Sequence, residues 1–166
     1  MAVLPIRQFP DDAGLRRKAK RVRIIDESIQ KLINDMTDTM QEAKGVGLAG
    51  PQVGVPLRVI VIQMPDEEPF AIINPEVVKR VGEQEVTEGC LSIPGLRGLV
   101  PRHRRIGVRY LTRKGEVREE EYADFLARVF QHEFDHVQGM VFIDRVESTR
   151  ELVTEKEYLR SQQIHA

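Results

Sequence analysis

The sequence predicts an α+β fold: a single compact domain of antiparallel β-sheets packed around a central helix, with one N-terminal and one C-terminal helix. Two helical patterns flank a run of short extended segments, without the strand–helix alternation of a parallel α/β fold. The chain has 166 residues, of which 41% are hydrophobic and 31% charged. This length and composition suit one globular domain, taken here as residues 1–166.

The first predicted element is a helix over residues 28–43. Its apolar residues recur at the spacing of one helical face, and Asp26 or Ser28 can cap the first turn. The following segment, 45–56, contains four glycines and two prolines. Because residues of these types at this density end a helix, the segment is predicted to be a loop whose bare backbone approaches another group.

The middle of the chain consists of short segments with the composition or alternation of β-strands. Strands are predicted at 57–63, 70–73, 76–81, 105–112 and 116–122. Asn74-Pro75 separates two of them, and Lys114-Gly115 suits the turn of a hairpin between the last two.

A second helix is predicted over residues 123–138, and Gly139 suits its C-terminal end. Phe142 and Ile143 are expected to return to the core. The charged segment from Ser148 to about Arg160 is predicted to be helical.

Charge and hydropathy favour a cytoplasmic protein. The formal net charge is -1, from 25 basic and 26 acidic residues, so no overall field is expected to draw the chain to nucleic acid or anionic lipid. The first residues lack the apolar run of a secretory signal, and no stretch approaches the roughly 20 apolar residues that cross a bilayer. Direct nucleic-acid binding and membrane association are therefore not predicted.

The second helix carries the sequence His132-Glu133-Phe134-Asp135-His136. Two histidines four residues apart lie on one helical face, so both imidazoles can reach a single ion. Glu133 lies beside that ion and can hold a water bound to it. The alternative is a solvated, charged helix face with two incidental histidines.

Two histidines require a third protein ligand, with an open position left for water. Downstream, the chain offers Asp144, Glu147 and Glu151, none of them in the spacing of a third metzincin histidine. Upstream stands Cys90, the single cysteine, which without its neighbours is more typical of a small buried apolar residue. Spacing alone leaves the third ligand open.

Three segments together resemble the signatures of the peptide deformylases. They are Gly45–Gln52, Glu88-Gly89-Cys90-Leu91-Ser92 and Gln131–His136, and their order and spacing also fit. The resemblance implies that Cys90, His132 and His136 bind one divalent ion, with water as the fourth ligand.

The resemblance also assigns catalytic roles. Glu133 would take a proton from the metal-bound water as it attacks the formyl carbon, then deliver it to the departing amine. Gln52 and the N–H of Leu91 would donate hydrogen bonds to the developing oxyanion. The alternative for Gln52 is a solvent-exposed turn residue. Arg102 is predicted to pair with Glu88 and to hold the Cys90 segment in place.

Substrate-binding residues are predicted from helical spacing and from the resemblance. Phe125 and Val129 share the face of His132 and, with Val86, would form an apolar slot for a methionine side chain. Their alternative role is in the core. The remaining predicted substrate-binding residues are Gly45, Val46, Gly47, Glu88 and Gly89. The loop glycines among them would let the backbone pair with an extended peptide.

The implied function is removal of the N-formyl group from the N-terminal methionine of newly synthesised polypeptides, with release of formate. Nascent chains at the ribosome are the implied partners. Fe(II) is the implied working ion, and the ligand set also accepts Zn, Ni or Co. The alternatives are a zinc endopeptidase and a non-catalytic metal-binding protein.

Two residues depart from the family pattern. Gly50 stands where the family usually has alanine, and this loss of a methyl group is expected to loosen the loop. Val137 stands where leucine is common, a modest change in helix packing.

Overall fold

Two antiparallel sheets make up the β structure of the computed structural model, which describes residues 2–146, 152–154, 156–158 and 160. The strands are β1 (Gly47–Ala49), β2 (Val59–Ile62), β3 (Phe70–Val81), β4 (Gln84–Cys90), β5 (Ile93–Arg102), β6 (Arg105–Leu111), β7 (Val117–Ala123) and β8 (Leu152–Thr154). The larger sheet has the order β1-β2-β3-β6-β7, and the smaller sheet has the order β4-β5-β8. Two long helices, α1 (Glu27–Glu42) and α2 (Asp124–Val137), pack on the larger sheet.

Strand β2 shows how the larger sheet separates these helices. Ile60 and Ile62 pack in the cluster that contains α2, whereas Val59 and Val61 pack in the cluster that contains α1. Successive side chains of a strand point to opposite faces, so this continuous apolar strand serves two cores. Helix α2 therefore lies inside the molecule, as the sequence predicted, and the α+β fold with antiparallel sheets is confirmed.

The predictions for both long helices are confirmed to within about one residue. The Asp26 carboxylate caps α1 by accepting a hydrogen bond from the Ile29 N–H, at 3.2 Å. Helix α2 is followed by Gly139 at φ 80°, where an added Cβ would lie 2.6 Å from the Arg16 carbonyl oxygen. Only glycine fits this turn, which explains the end of the helix.

The hairpin of β6 and β7 is confirmed, but three other predictions need correction. Residues 70–81 form one strand, β3, because its pairing continues past Asn74-Pro75 through an irregularity rather than ending there. The glycine-rich loop contains the short strand β1, which pairs with β2. The third correction concerns the tail, where residues 152–154 pair with β5 as β8 and helical residues follow at 156–158 and 160.

Val137 is fully buried in the core around α2. Phe142 is also buried, as predicted, and begins a short 3-10 turn, Phe142–Arg145. Among the described residues, no helix has the length and apolar character needed to cross a membrane.

Candidate metal centre and substrate cleft

Helix α2 and the end of strand β4 bring three candidate metal-binding side chains together. His132 and His136 are one turn apart on α2, and Cys90 is the last residue of β4. One ligand atom from each residue lies within 4.8 Å of the other two, and Cys90 Sγ is 3.3 Å from His136 Nε2. The downstream candidate Asp144 instead pairs with Arg16, and Glu147 and Glu151 lie outside the described residues.

This donor set fits a divalent ion. Bonds of about 2.0–2.3 Å from a tetrahedral ion to nitrogen and sulfur place the ligand atoms roughly 3.5 Å apart, close to the 3.3 Å between Cys90 Sγ and His136 Nε2. His136 is fully buried, and this burial, together with His132, lowers its pKa well below the ordinary value. The imidazole is thereby kept neutral, which is the form that binds metals.

The outer nitrogen of His132 is held by a buried ion pair. His132 Nδ1 lies 2.7 Å from Glu88 Oε1, and Arg102 donates to both oxygens of Glu88, at 2.7 and 2.8 Å. Burial would raise the pKa of Glu88, but the bonds from Arg102 and His132 outweigh it and hold that pKa at about 2. Glu88 is thus an anion that engages Nδ1 of His132 and leaves Nε2 directed toward the candidate metal-binding atoms of Cys90 and His136.

The predicted Arg102–Glu88 pair is confirmed, and it continues into a longer network. Arg102 Nη1 donates to Asp135 Oδ2 at 2.6 Å, and Asp135 accepts two further bonds from Arg145, both at 2.8 Å. The Arg102 side chain is only 2% exposed, so its charge depends on these two carboxylates. The network ties β5 to α2 directly behind the two histidines.

Glu133 is buried beside the candidate metal ligands Cys90, His132 and His136. It is 3% exposed, and its Oε1 lies 3.8 Å from His132 Nε2. Its Oε2 finds no hydrogen-bond partner within the described part of the chain. Burial raises the pKa of Glu133 to about 7, which suits a group that both accepts and donates a proton near neutral pH.

Gln52 is buried rather than exposed, so the simple turn-residue alternative is wrong. Its Oε1 accepts a bond from the Ala49 N–H at 2.9 Å. This orients Nε2 toward Ser92 Oγ, at 3.3 Å, and toward Cys90 Sγ, at 3.6 Å. A fixed donor therefore lies next to the candidate metal ligands.

A cleft of about 520 Å³ opens over this group. Its wall contains Phe125, which is 41% exposed, and the buried Val129, both as predicted. Val86 does not line the cleft. It precedes Glu88 by two residues on β4, about 7 Å further along the strand, and this distance corrects the prediction.

The other predicted residues, Gly45, Val46, Gly47, Glu88, Gly89 and Leu91, all line the cleft. A Cβ on Gly47 would lie 2.9 Å from Glu133 Cγ, and one on Gly45 would lie 2.9 Å from Leu91 Cδ1. The glycines therefore let the β1 segment approach the site closely.

Gly50 does not loosen the loop, contrary to expectation. A Cβ at this position would lie 2.7 Å from the Leu57 carbonyl oxygen and 2.8 Å from that of Val55. The Gly50 carbonyl also accepts a bond from the Val55 N–H, at 3.0 Å. The carbonyl groups of Val55 and Leu57 occupy the space that an alanine methyl group would need.

Several residues of the cleft, notably Lys44 and Arg128, were not predicted from the sequence. Arg128 donates to the Thr87 carbonyl oxygen at 3.0 Å, and its guanidinium lies 5.5 Å from the centre of the Phe125 ring. Helical spacing could have identified it, because it lies four residues before His132. The sequence contains no comparable signal for Lys44.

Cys90, His132 and Glu133 line the cleft, and His136 lies buried behind them on the same helix as His132, α2. A cysteine, two histidines and a buried glutamate in this arrangement are typical of a metal-dependent hydrolase. The family model for polypeptide deformylase matches residues 3–151. The chain belongs to this family, whose members are metal-dependent hydrolases.

Curated relatives and solved structures agree with this assignment. Peptide deformylase 2 of Nostoc sp. is 47% identical, over 94% of this chain and 93% of its own length. The peptide deformylase of Nitrosococcus oceani is 42% identical over the whole of both chains. A crystal structure of a peptide deformylase from Legionella pneumophila has a TM-score of 0.85 at 42% identity, covering 98% of each chain. One from Synechococcus elongatus, in complex with actinonin, has a TM-score of 0.85 at 39% identity, covering 91% of this chain and 84% of that one.

Proposed function

We propose that this chain removes the N-formyl group from the N-terminal methionine of newly synthesised polypeptides and releases formate. The observation that carries the proposal is the buried Glu133, one oxygen of which bonds to none of the described residues, beside the Cys90–His132–His136 group. Glu133, Cys90 and His132 line the cleft. Residues 1–166 would work as one catalytic domain, which is supported by relatives aligned over nearly their whole length.

Cys90, His132 and His136 would hold the metal. When bound, a divalent ion supplies a water of lowered pKa and polarises the formyl oxygen. Fe(II) is the ion proposed for the working enzyme, and imidazole and thiolate also accept Zn, Ni or Co. Reconstitution of metal-free protein with each ion without oxygen would test this choice, because the Fe(II) form should have the highest kcat/KM.

Glu133 would move the proton. As the water oxygen bonds to the formyl carbon, a Glu133 oxygen would accept the water's proton. The same carboxyl would then protonate the amine nitrogen as the C–N bond breaks. An Oε2 without a hydrogen-bond partner among the described residues, and a pKa of about 7, support both halves of this cycle.

Gln52 and Leu91 would stabilise the negative charge that develops on the formyl oxygen. Gln52 Nε2 is a buried donor near Cys90, and the Leu91 N–H follows Cys90 directly along the chain. Donors fixed before the reaction need no rearrangement as the charge develops, which makes this kind of contribution large.

The peptide would bind along β1. This strand is at the edge of the larger sheet, so one side of its backbone is available to an extended peptide. Gly45, Val46 and Gly47 would provide that edge, and Gly89 the opposite wall. Phe125 and Val129 would contact the methionine side chain. Glu88 also lines the cleft, but with both oxygens engaged it would orient His132 rather than bind substrate.

The proposed partners are nascent chains as they leave the ribosome, and the proposed location is the cytoplasm, where those chains are made. Support for both comes from family membership and from the bacterial relatives.

The function is tested by measuring formate released from formyl-Met-Ala-Ser by the metal-loaded protein. Acetyl-Met-Ala-Ser and an unmodified peptide are the matched controls. Formate should appear from the first peptide alone, and no internal peptide bond should be cut. Cleavage of internal bonds without formate would favour the endopeptidase alternative, and a metal-loaded protein inactive on all three peptides would contradict the proposal.

A further inference from the structure

Six of the eight residues from 16 to 23 are lysine or arginine. This segment is called the basic strip, and its cations are Arg16, Arg17, Lys18, Lys20, Arg21 and Arg23. All six are exposed, while the two residues between them, Ala19 and Val22, are buried. The strip therefore presents every one of its charges to solvent and is anchored by its two apolar residues.

The backbone of the basic strip is fixed by hydrogen bonds to three other parts of the chain. The Ala19 N–H donates to the Val137 carbonyl at the end of α2, at 2.9 Å, and the Lys20 N–H donates to the Pro56 carbonyl, at 2.9 Å. Asn74 bonds to both backbone groups of Val22, at 2.8 and 2.9 Å. The cations thus project from a rigid base, which reduces the entropy lost when a ligand binds.

Most of this charge is not neutralised. Arg16 pairs with Asp144, and Arg21 lies 3.9 Å from Glu76 in a well-exposed contact. The four remaining cations of the strip make no ion pair with any described residue.

The strip borders a second cavity of about 560 Å³. Its lining includes the cations Lys18, Arg80, Arg102 and Arg145, together with His103, against the carboxylates of Glu83 and Asp135. Gln131, Phe134 and Asp135 of α2 also line it, whereas His132 and Glu133 line the substrate cleft. The cavity and the cleft therefore lie on opposite faces of α2.

We infer that the basic strip, with Lys18 and Arg80 at the adjoining cavity, binds the phosphodiester backbone of RNA. Residues 17–23 contain no helix, and seven residues span at most about 20 Å, so several phosphates of one strand can contact them together. An anionic bilayer is a poorer match, because the strip is not an amphipathic helix and part of its charge lines a recess.

The basic strip concentrates positive charge locally, although the net charge of the whole chain, on which the expectation of no nucleic-acid binding rested, is only -1. RNA binding at the strip does not depend on the proposed deformylation. Because the cavity lies on the far side of α2, RNA bound there would leave the substrate cleft open.

The test is fluorescence anisotropy of a labelled uridine oligonucleotide of about 20 residues, titrated with the metal-loaded full chain. Binding should be in the micromolar range at low salt, with log K falling against log salt at a slope of about -3. Lys18→Glu/Arg23→Glu should weaken binding about tenfold or more and reduce that slope by about 1.4. Arg118→Glu/Lys156→Glu, with the same change in net charge at other exposed positions, should stay within about twofold of wild type.

Lys18→Gln/Arg23→Gln provides a milder variant in case the charge reversal impairs folding. It should also weaken binding while leaving formate release from a short formyl peptide unchanged. Three results would overturn the inference: no binding at about 100 µM protein in low salt, equal losses in the strip and control variants, or binding to phosphatidylglycerol vesicles without binding to RNA.

Discussion

Glu88 Oε1 lies 2.7 Å from His132 Nδ1 while the same carboxylate accepts two hydrogen bonds from Arg102. One buried acid therefore connects a proposed metal ligand on α2 to an arginine on β5. A carboxylate in this position fixes the tautomer and the ring orientation of a metal-binding histidine.

Glu88→Gln should lower metal affinity about 10- to 100-fold, because the amide keeps the shape but loses the charge that supports His132. Glu85→Gln, at an exposed position of the same strand, should leave the affinity unchanged. Competition with a chelator of known affinity measures both variants. Equal metal affinity in Glu88→Gln and wild type would show that the contact does not support binding.

Gln52→Glu should reduce kcat/KM about 100-fold or more with metal content retained. The substitution keeps the oxygen that accepts from the Ala49 N–H but removes the Nε2 donor. Gln63→Glu makes the same chemical change at a side chain outside the cleft and should have little effect. If Gln52→Glu retained full activity in the formate assay, its proposed oxyanion role would be wrong.

Gly50→Ala should destabilise the fold by about 1–3 kcal/mol, because the new methyl group would meet two backbone carbonyls that cannot rotate away. Gly89→Ala is the matched control, since its Cβ would meet only the flexible Arg97 side chain, at 3.5 Å. Urea unfolding with saturating metal compares the two. A Gly50→Ala protein as stable as wild type would mean that the loop has room for alanine.

The Asp35 carboxylate should make stability depend on pH. Lys31 and the Ala2 N–H bond to it, and the bond from Lys31 is the main cause that lowers its pKa below 3.8. A folded-state pKa below the unfolded value stabilises the protein above pH 3.8, and this contribution disappears as the pH falls through and below that value.

Urea unfolding at several pH values tests this prediction with Asp35→Asn. The difference in unfolding free energy between wild type and Asp35→Asn should be large at pH 6 and shrink below about pH 4. When both proteins also carry Lys31→Met, this difference in unfolding free energy should change less with pH, because the main bond that lowers the Asp35 pKa is gone. Parallel pH curves for wild type and Asp35→Asn would contradict the assignment.

Elements with a strong local signal could be predicted from the sequence. Apolar spacing located α1 and α2, and Lys114-Gly115 located the turn of the β6–β7 hairpin. The charged tail was predicted to be helical. Strand β8 exists through pairing with β5, more than 50 residues away, and such pairing leaves little local signal.

The same contrast holds at the site. His132, Glu133 and His136 follow from spacing along one helix, whereas Cys90 needed the family resemblance. Val86 was predicted to form the apolar slot with Phe125 and Val129, but it does not line the cleft. Its distance from the cleft depends on where β4 lies in the fold, which sequence spacing does not show. The hydrogen bonds that Arg102 and Arg145 donate to Asp135 were missed for a related reason: charge type alone does not show which charged side chains meet until the fold joins them.

The central claim is that Glu133 transfers the proton in deformylation at a metal held by Cys90, His132 and His136. Formate release from formyl-Met-Ala-Ser by wild type and Glu133→Ala, with the metal content of both measured, tests it most directly. Glu133→Ala should retain its metal and lose activity by a factor of at least about 10² to 10⁴. Activity near the wild-type level in a Glu133→Ala protein that holds its metal would contradict the claim.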